Sequence, residues 1–117
     1  MVVIRQMKRY EAVNALDFDE RTVHSFYRDN RLKRVKGGIG ETVSGFLVDK
    51  NHVGGLEEHH LTNTGLIIVR NHRTNKFVTV LIARPGQVKR YYRSIGRIAP
   101  KWLVKIAYDN YSQHLNY

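Results

Sequence analysis

The chain contains no cysteine, and its only two prolines, Pro85 and Pro100, lie in the last third. The absence of cysteine excludes a disulfide framework, thiolate catalysis and a cysteine-ligated zinc site, and it favours a reducing compartment such as the cytoplasm. The sequence also lacks a long apolar run, and a charge already occurs at Arg5. We therefore expect neither a secretory signal peptide nor a membrane span.

Acidic residues are scarce, because 10 Asp and Glu stand against 20 Lys and Arg, which gives a net charge of +10. A small domain needs less charge than this for solubility, so the excess predicts a polyanionic partner. Nucleic acid is the commonest such partner, and an acidic protein or a membrane surface are the alternatives. The 117 residues, 42% hydrophobic and 26% charged, are typical of a single globular domain spanning 1–117.

The first part of the chain has helical periodicity. Val3, Met7 and Tyr10 fall on one helical stripe, and Asp17 followed by Glu20 is a variant of the capping box. The helix that Asp17 begins is expected to bury an apolar stripe of Val23, Phe26 and Tyr27. Glycines at 37, 38 and 40 then predict a loop.

The remainder predicts a sheet followed by two helices. Strands are expected over 45–50, 56–62, 66–70 and 77–83, with a hairpin loop at 63–65 in which Gly65 takes a positive φ. Pro85 and Pro100 begin the two helices, and Gly96 ends the first. Their predicted buried stripes are Val88, Tyr91, Tyr92 and Ile95 in the first, and Trp102, Leu103, Ile106, Ala107 and Tyr111 in the second. The fold class is thus α+β, with N-terminal helices, a four-stranded antiparallel meander and two C-terminal helices packed on one face.

The segment after the last predicted strand is the most informative about function. Five cations occur from Arg84 to Arg97 without an intervening acid, and on a helix they lie on or beside the face opposite the apolar stripe. Such cations can contact successive phosphates, and Tyr91 and Tyr92 could stack on unpaired bases. A second basic cluster occurs at 28–36. The predicted nucleic-acid-binding residues are Lys89, Arg90, Arg93, Arg97, Arg31, Lys33 and Arg34. The alternative interpretation is a solvated surface over a tyrosine core.

Histidine on the second strand provides a hypothesis of catalysis. Because side chains alternate along a strand and Leu61 is the better core residue, His60 and Thr62 are predicted on the open face. An imidazole beside a hydroxyl and cations is how a metal-independent ribonuclease is built, whereas a scattered surface histidine is the alternative. We predict no metal site, no cofactor and no phosphate-binding glycine loop, because the spacings match no familiar pattern. The potential metal ligands considered are His52, His59, His60, His72, Glu57 and Glu58.

Two stretches, LTNTGLII at 61–68 and VTVLIARPGQVKRYY at 78–92, carry a resemblance. The region 45–93 resembles small uncharacterised proteins of phages and prophages of Gram-positive bacteria, and that likeness extends over most of the chain. The middle half is similar, more loosely, to the barnase, EndoU, colicin and RelE group of nuclease domains. The nuclease resemblance implies metal-independent RNA cleavage, with His60 as acid or base and Thr62 or Thr79 as the hydroxyl donor. It also implies that Arg84, with Lys89 or Arg90, holds the phosphate.

Three functions of different classes follow from these observations. The first is an RNA-binding protein that cleaves RNA as an endoribonuclease in the cytoplasm, the host's if the protein is phage-encoded. The second is a non-catalytic nucleic-acid-binding regulator, in which the region 17–24 contributes to a helix-turn-helix. The third is a phage protein that inhibits a host nucleic-acid enzyme through an acidic patch or an enzyme–nucleic acid complex. The expected partners are RNA before DNA, or a host protein, and not a membrane.

Overall fold

The computed structural model describes residues 3–6, 18, 20–49 and 55–115. Its elements, in chain order, are β1 (Val3–Gln6), α1 (Glu20–Arg28), α2 (Asn30–Lys33), β2 (Thr42–Asp49), β3 (Leu56–Thr62), β4 (Leu66–Asn71), β5 (Phe77–Ile82), α3 (Pro85–Ser94) and α4 (Lys101–Leu115). The five strands form one antiparallel meander in the order β1-β2-β3-β4-β5. The α+β class is therefore confirmed, although the sheet has five strands instead of four.

The additional strand corrects the prediction for the beginning of the chain. Val3 lies on β1, not on a helix, and Ile4 pairs with Val48 of β2. β-branched Val and Ile favour a strand, and β2 offers them an edge to pair with, which periodicity along the chain does not reveal. Met7 and Tyr10, on which the helical stripe depended, and Asp17 lie outside the described residues.

Helices cover both faces of the sheet. The two C-terminal helices share one face, where Val88 of α3 and Leu103 of α4 pack with Phe46, Leu61 and Ile67. The front helices pack on the opposite face. Their core there consists of Phe18, Phe26, Leu32, Val35, Ile39, Leu66, Ile68 and Val80. The domain thus has three layers, and β3 and β4 are covered on both sides.

The hairpin between β3 and β4 follows the predicted turn chemistry. Gly65 has φ +86°, and its N–H donates to the carbonyl of Thr62 at 3.1 Å. The amide of Asn110 on α4 donates to the carbonyl of Thr64 at 2.8 Å. This bond fixes α4 against the end of the sheet, so the position of α4 relative to α3 is set by the sheet as well as by the short connection between the helices.

The ends of α3 are formed as the sequence predicts. Pro85 begins the helix, and the side chain of Gln87 accepts the backbone N–H of Arg84 at 2.9 Å. At the other end Gly96 has φ +72°. The N–H of Arg97 donates to the carbonyl of Tyr92 at 2.9 Å, and the N–H of Gly96 donates to the carbonyl of Arg93 at 3.0 Å. This paired closure is typical of a glycine-terminated helix, and it directs the following residues toward α4.

Two aromatic positions differ from the predicted core stripes. Tyr27 and Trp102 are 58% and 49% exposed, whereas Tyr91 is buried as expected. Among residues 101–113 of α4, whose burial the structure describes, the least exposed are Leu103, Ala107 and Asn110. Trp102 lies about 100° around the helix from Leu103. Among the described helices, none is long and apolar enough to cross a membrane.

Candidate nucleic-acid interface

A groove of about 660 Å³ lies between α3 and α4. It contains five of the basic residues, and the whole lining is Pro85, Lys89, Arg93, Arg97, Ile98, Ala99, Lys101, Val104, Lys105 and Tyr108. We call this surface the α3–α4 groove. No acidic side chain is part of its lining. A concave surface with cations on both walls raises the local concentration of polyanions.

The spacing of the cations follows from the two helices. Lys89 and Arg93 are one turn apart on α3, and Lys101 and Lys105 are one turn apart on α4. Arg97 lies in the connection between them, where the glycine closure of α3 places it. Lys105 donates to the carboxylate of Asp109 at 3.1 Å, on the exposed face of α4, so part of its charge is compensated there.

Of the predicted nucleic-acid-binding residues on α3, the structure brings together Lys89, Arg93 and Arg97, while Arg90 is exposed but outside the groove. The predictions missed Lys101, Lys105, Ile98 and Tyr108. One signal could have found the α4 residues. No Asp or Glu occurs between Glu58 and Asp109, although that stretch holds half of the Lys and Arg residues.

The apolar part of the groove is exposed. Ile98 is 94% and Tyr108 is 61% exposed. An aromatic ring available beside a row of cations is the arrangement on which unpaired bases stack, since every base offers a π-face. The groove therefore combines contacts for phosphates with one for a base.

Tyr91 and Tyr92 of α3 both contact the sheet. Tyr91 is buried and stacked on Phe46, with ring centroids 5.0 Å apart, and its hydroxyl is hydrogen-bonded to Nδ1 of His59. Burial raises the pKa of Tyr91 to about 12. Tyr92 is half-buried, and its hydroxyl donates to Oγ of Ser44 at 2.9 Å. Both tyrosines anchor α3 to the sheet. The prediction of stacking on bases is wrong for Tyr91, which is buried, and stays a prediction for the half-buried Tyr92.

His60 is only 2% exposed, so the prediction that it lies on an open face is wrong. The front helices cover that face, and the edge of the His60 ring meets Phe18 at a centroid distance of 5.5 Å. Nε2 of His60 lies 2.8 Å from Oε1 of Glu58. Because an ionised carboxylate only accepts, the imidazole donates this hydrogen bond.

Glu58 is the centre of a cluster of four charged or titratable residues, which we call the Glu58 cluster: Glu58, His60, Arg70 and His72. Glu58 and His60 are buried, whereas the side chains of Arg70 and His72 are partly exposed. Oε1 of Glu58 also accepts from Nη2 and Nε of Arg70 at 2.7 and 3.0 Å, and Oε2 accepts from Nδ1 of His72 at 2.8 Å. Burial alone raises the pKa of Glu58. The hydrogen bonds from His60, His72 and Arg70, together with the charge of Arg70, outweigh burial and lower that pKa to about 2.

The two predicted threonines have different surroundings. Oγ1 of Thr62 is fully buried and accepts the backbone N–H groups of Thr64 and Leu66 at 3.3 and 3.1 Å, so it stabilises the hairpin turn. Thr79 pairs with Val69, whose side chain belongs to the core under α3 and α4. Since paired residues share a face, Thr79 lies on the face opposite His60.

Arg84 lines a second cavity, of about 610 Å³. Arg31 and Arg34 of the second basic cluster line it too, and the rest of the lining is Leu32, Val80, Leu81, Ile82, Gln87 and Tyr111. We call this cavity the arginine pocket. Lys33 is exposed outside it. The proposed catalytic set of His60, Thr62, Thr79 and Arg84 is therefore not assembled around either cavity.

Two further predictions concern metals and the helix-turn-helix. Within 3–6, 18, 20–49 and 55–115, no group of three or more potential metal ligands is arranged to hold an ion, and His52 lies outside these residues. The helix that follows α1 is a single turn, α2, with Leu32 buried. The predicted helix-turn-helix at 17–24 lies before α2. Residues 20–24 of it belong to α1, whereas Asp17 lies outside the described residues, so the helix-turn-helix stays a prediction.

Comparison with protein-family models, with curated proteins and with solved structures found no match to this chain. The resemblance to phage proteins and to the nuclease group thus stays a prediction. The features of this structure that bear on function are the groove, the arginine pocket and the Glu58 cluster.

Proposed function

We propose that the protein binds single-stranded RNA through the α3–α4 groove. The observation that carries this proposal is the arrangement of five cations around an exposed tyrosine, with no acid in the lining. The cations supply the sequence-independent attraction to phosphates, and Tyr108 supplies a stacking contact that a base inside a duplex cannot make. We expect RNA, before DNA, to be the partner, and we expect the protein to bind single strands more tightly than duplexes.

Charge reversal in the groove tests this proposal. Lys89, Arg93 and Lys101 are exposed, so their replacement by Glu leaves the core intact. We expect the triple variant to lose more than about 100-fold in affinity for a fluorescent oligouridine, measured by anisotropy at low salt. The matched control reverses Arg21, Arg73 and Lys76, which are exposed and line neither the groove nor the arginine pocket. It changes the net charge equally.

The outcomes separate the alternatives. Equal losses in the groove variant and the control would mean that net charge, not the groove, attracts RNA. Binding to heparin or to anionic lipid vesicles without binding to RNA would contradict the proposal and assign the groove to another polyanion. Capture of an acidic host protein, with no RNA binding, would favour the enzyme-inhibitor alternative. The affinity of the parent protein is also measured for single-stranded DNA, duplex RNA and duplex DNA of matched length, all of which should bind more weakly than single-stranded RNA.

A second candidate function, cleavage of RNA, is supported by His72 instead of His60. His72 contacts Glu58 on the face of the sheet opposite the one that α3 and α4 cover, so this candidate site is separate from the groove. The side chain of His72 is 43% exposed, and Glu58 accepts the proton on its Nδ1. This arrangement leaves Nε2 able to take a proton from a ribose 2′-hydroxyl. The 2′-oxygen then attacks phosphorus, the P–O5′ bond breaks, and the products are a 2′,3′-cyclic phosphate and a 5′-hydroxyl that gains its proton from water.

Cleavage is tested with purified protein and a labelled RNA in EDTA, because the proposed step uses no metal. We expect His72→Ala to lower the rate of cleavage by about 10²–10⁴-fold. A 2′-deoxy substrate should not be cleaved, because it lacks the attacking hydroxyl. His24→Ala is the control, since His24 is exposed on α1. No cleavage by the parent protein, with or without Mg²⁺, would remove this candidate and leave RNA binding untouched.

A further inference from the structure

The arginine pocket adjoins the α3–α4 groove at the start of α3. Arg84 lines the pocket, and the next residue, Pro85, lines the groove. On α4, Tyr108 belongs to the groove and Tyr111, about one turn further on, belongs to the pocket. The two cavities are therefore neighbours along both helices, and a strand that lies in the groove is directed toward the pocket.

The chemistry of the pocket suits a phosphate monoester attached to an apolar group. Arg31, Arg34 and Arg84 contribute three guanidinium groups, and no acidic residue lines the cavity. Outside the lining, Nη2 of Arg31 also donates to Oδ2 of Asp29 at 3.4 Å, so part of its charge is compensated there. Guanidinium groups bind phosphate oxygens in a bidentate manner. A terminal phosphate carries about −1.5 to −2 charges near pH 7, more than the single charge of an internal diester. Three cations in one cavity favour the terminal group for this reason.

The walls and size of the pocket fit the remainder of a nucleotide. Val80, Leu81 and Ile82 of β5 form one wall, and the guanidinium of Arg84 lies 5.6 Å from the centroid of the Tyr111 ring. The volume of about 610 Å³ lies within the range of pockets that enclose small organic ligands, roughly 300–1,000 Å³. The first turn of α3, a helix of ten residues, adds positive potential at the same rim.

We infer that the arginine pocket binds the phosphorylated terminal nucleotide of an RNA strand whose body occupies the groove. That the body of the strand occupies the groove rests on the proposed function. The binding of a terminal nucleotide depends on the pocket alone. The protein then distinguishes RNA ends, so that it binds a phosphorylated strand more tightly than the same strand with hydroxyl ends.

The test uses one oligouridine of about ten residues in three forms: with a 5′-phosphate, with a 3′-phosphate, and with hydroxyls at both ends. We expect the parent protein to bind one phosphorylated form about tenfold more tightly than the hydroxyl form, and the comparison of the two shows which end is recognised. The double variant Arg31→Gln, Arg84→Gln should reduce this preference to less than about twofold while its affinity for the hydroxyl form is retained. Arg73→Gln with Lys76→Gln is the matched control and should keep the preference.

A second measurement separates failure of the pocket from failure of the proposed function. Uridine monophosphate, as the 5′ and the 3′ isomer, is titrated into the protein alone and followed by NMR or calorimetry. Binding of a monophosphate that Arg31→Gln, Arg84→Gln abolishes, in a protein that binds no oligouridine, would support the pocket and reject the groove. RNA binding with no preference for a phosphorylated end, together with no binding of either monophosphate, would overturn the inference and leave the groove intact.

Discussion

Arg70 and Arg93 are cations of the same domain in contrasting surroundings. Arg70 lies against the buried carboxylate of Glu58, which two histidines also contact, so its charge is compensated inside the protein. Arg93 lies in the α3–α4 groove, whose lining contains no acid, so its charge is available to an external anion. A basic residue is therefore most available to an external anion where no buried carboxylate already compensates its charge.

The largest expected effect is on stability, and it concerns Glu58, whose carboxylate compensates the charge of Arg70. Glu58→Gln removes the charge that Arg70 and the two histidines contact, and breaking a buried ion pair by removing one partner costs about 3–5 kcal/mol. We expect this loss in the free energy of unfolding, measured by urea denaturation. Glu41→Gln, at an exposed carboxylate, is the control and should be close to neutral. A Glu58→Gln protein as stable as the parent would mean that the cluster does not stabilise the fold.

The packing of α4 gives the next largest effect. Leu103→Ala should cost about 2–5 kcal/mol because Leu103 is fully buried, whereas Trp102→Ala should cost less than about 1 kcal/mol because half of the Trp102 side chain is exposed. Thermal unfolding of the two variants checks this difference. A larger loss of stability in Trp102→Ala than in Leu103→Ala would contradict the orientation of α4 about its own axis. The lining of the groove depends on that orientation.

The pH dependence of stability follows from the lowered pKa of Glu58. The folded protein holds this pKa at about 2, below the ordinary value of 4.5, so the stabilisation is complete above pH 4.5 and is lost as the pH falls toward 2. The difference corresponds to about 3 kcal/mol. Unfolding free energies of the parent should decline across this range more steeply than those of Glu58→Gln. Parallel curves for the two proteins would contradict the assignment.

The smallest of these effects concerns the exposed aromatic ring of the groove. Tyr108→Ala should weaken binding of oligouridine by about 1–3 kcal/mol, the usual contribution of one stacked base, without destabilising the protein. Tyr92→Phe provides the contrast, because it removes the hydroxyl that donates to Ser44 and should cost about 1 kcal/mol of stability with no loss of affinity. The reverse pattern would mean that Tyr92 contacts RNA.

Features set by local chemistry could be predicted from the sequence. Pro85, Gly96 and the loop before Leu66 act through backbone preferences, so α3 and the β3–β4 hairpin occur at the expected positions. Alternation along β3 correctly separated His60 from Leu61. It could not show that the front helices cover the His60 face, because that depends on contacts between residues far apart in the chain.

Only part of the candidate site could be predicted, because the rest also depends on contacts between residues far apart in the chain. The cations of α3 were recognisable from helical spacing, but those of α4 join them only because the two helices pack side by side on the sheet. The roles of Tyr91 and Tyr92 depended on hydrogen-bond partners on β3 and β2, which no local pattern identifies. The position of Trp102 depended on which side of α4 meets the core, a rotation that a five-residue stripe does not fix.

The salt dependence of RNA binding tests most directly whether the groove cations contact phosphates. The logarithm of the binding constant for oligouridine is measured against the logarithm of the salt concentration, for the parent, for Lys89→Gln, Arg93→Gln, Lys101→Gln, and for the control Arg21→Gln, Arg73→Gln, Lys76→Gln. On single strands each contacted phosphate contributes about 0.7 to the slope, so three lost contacts should reduce its magnitude by about 2 in the groove variant. The control should keep the parent slope. A groove variant with the parent slope would contradict the account, because it would show that these cations contact no phosphates.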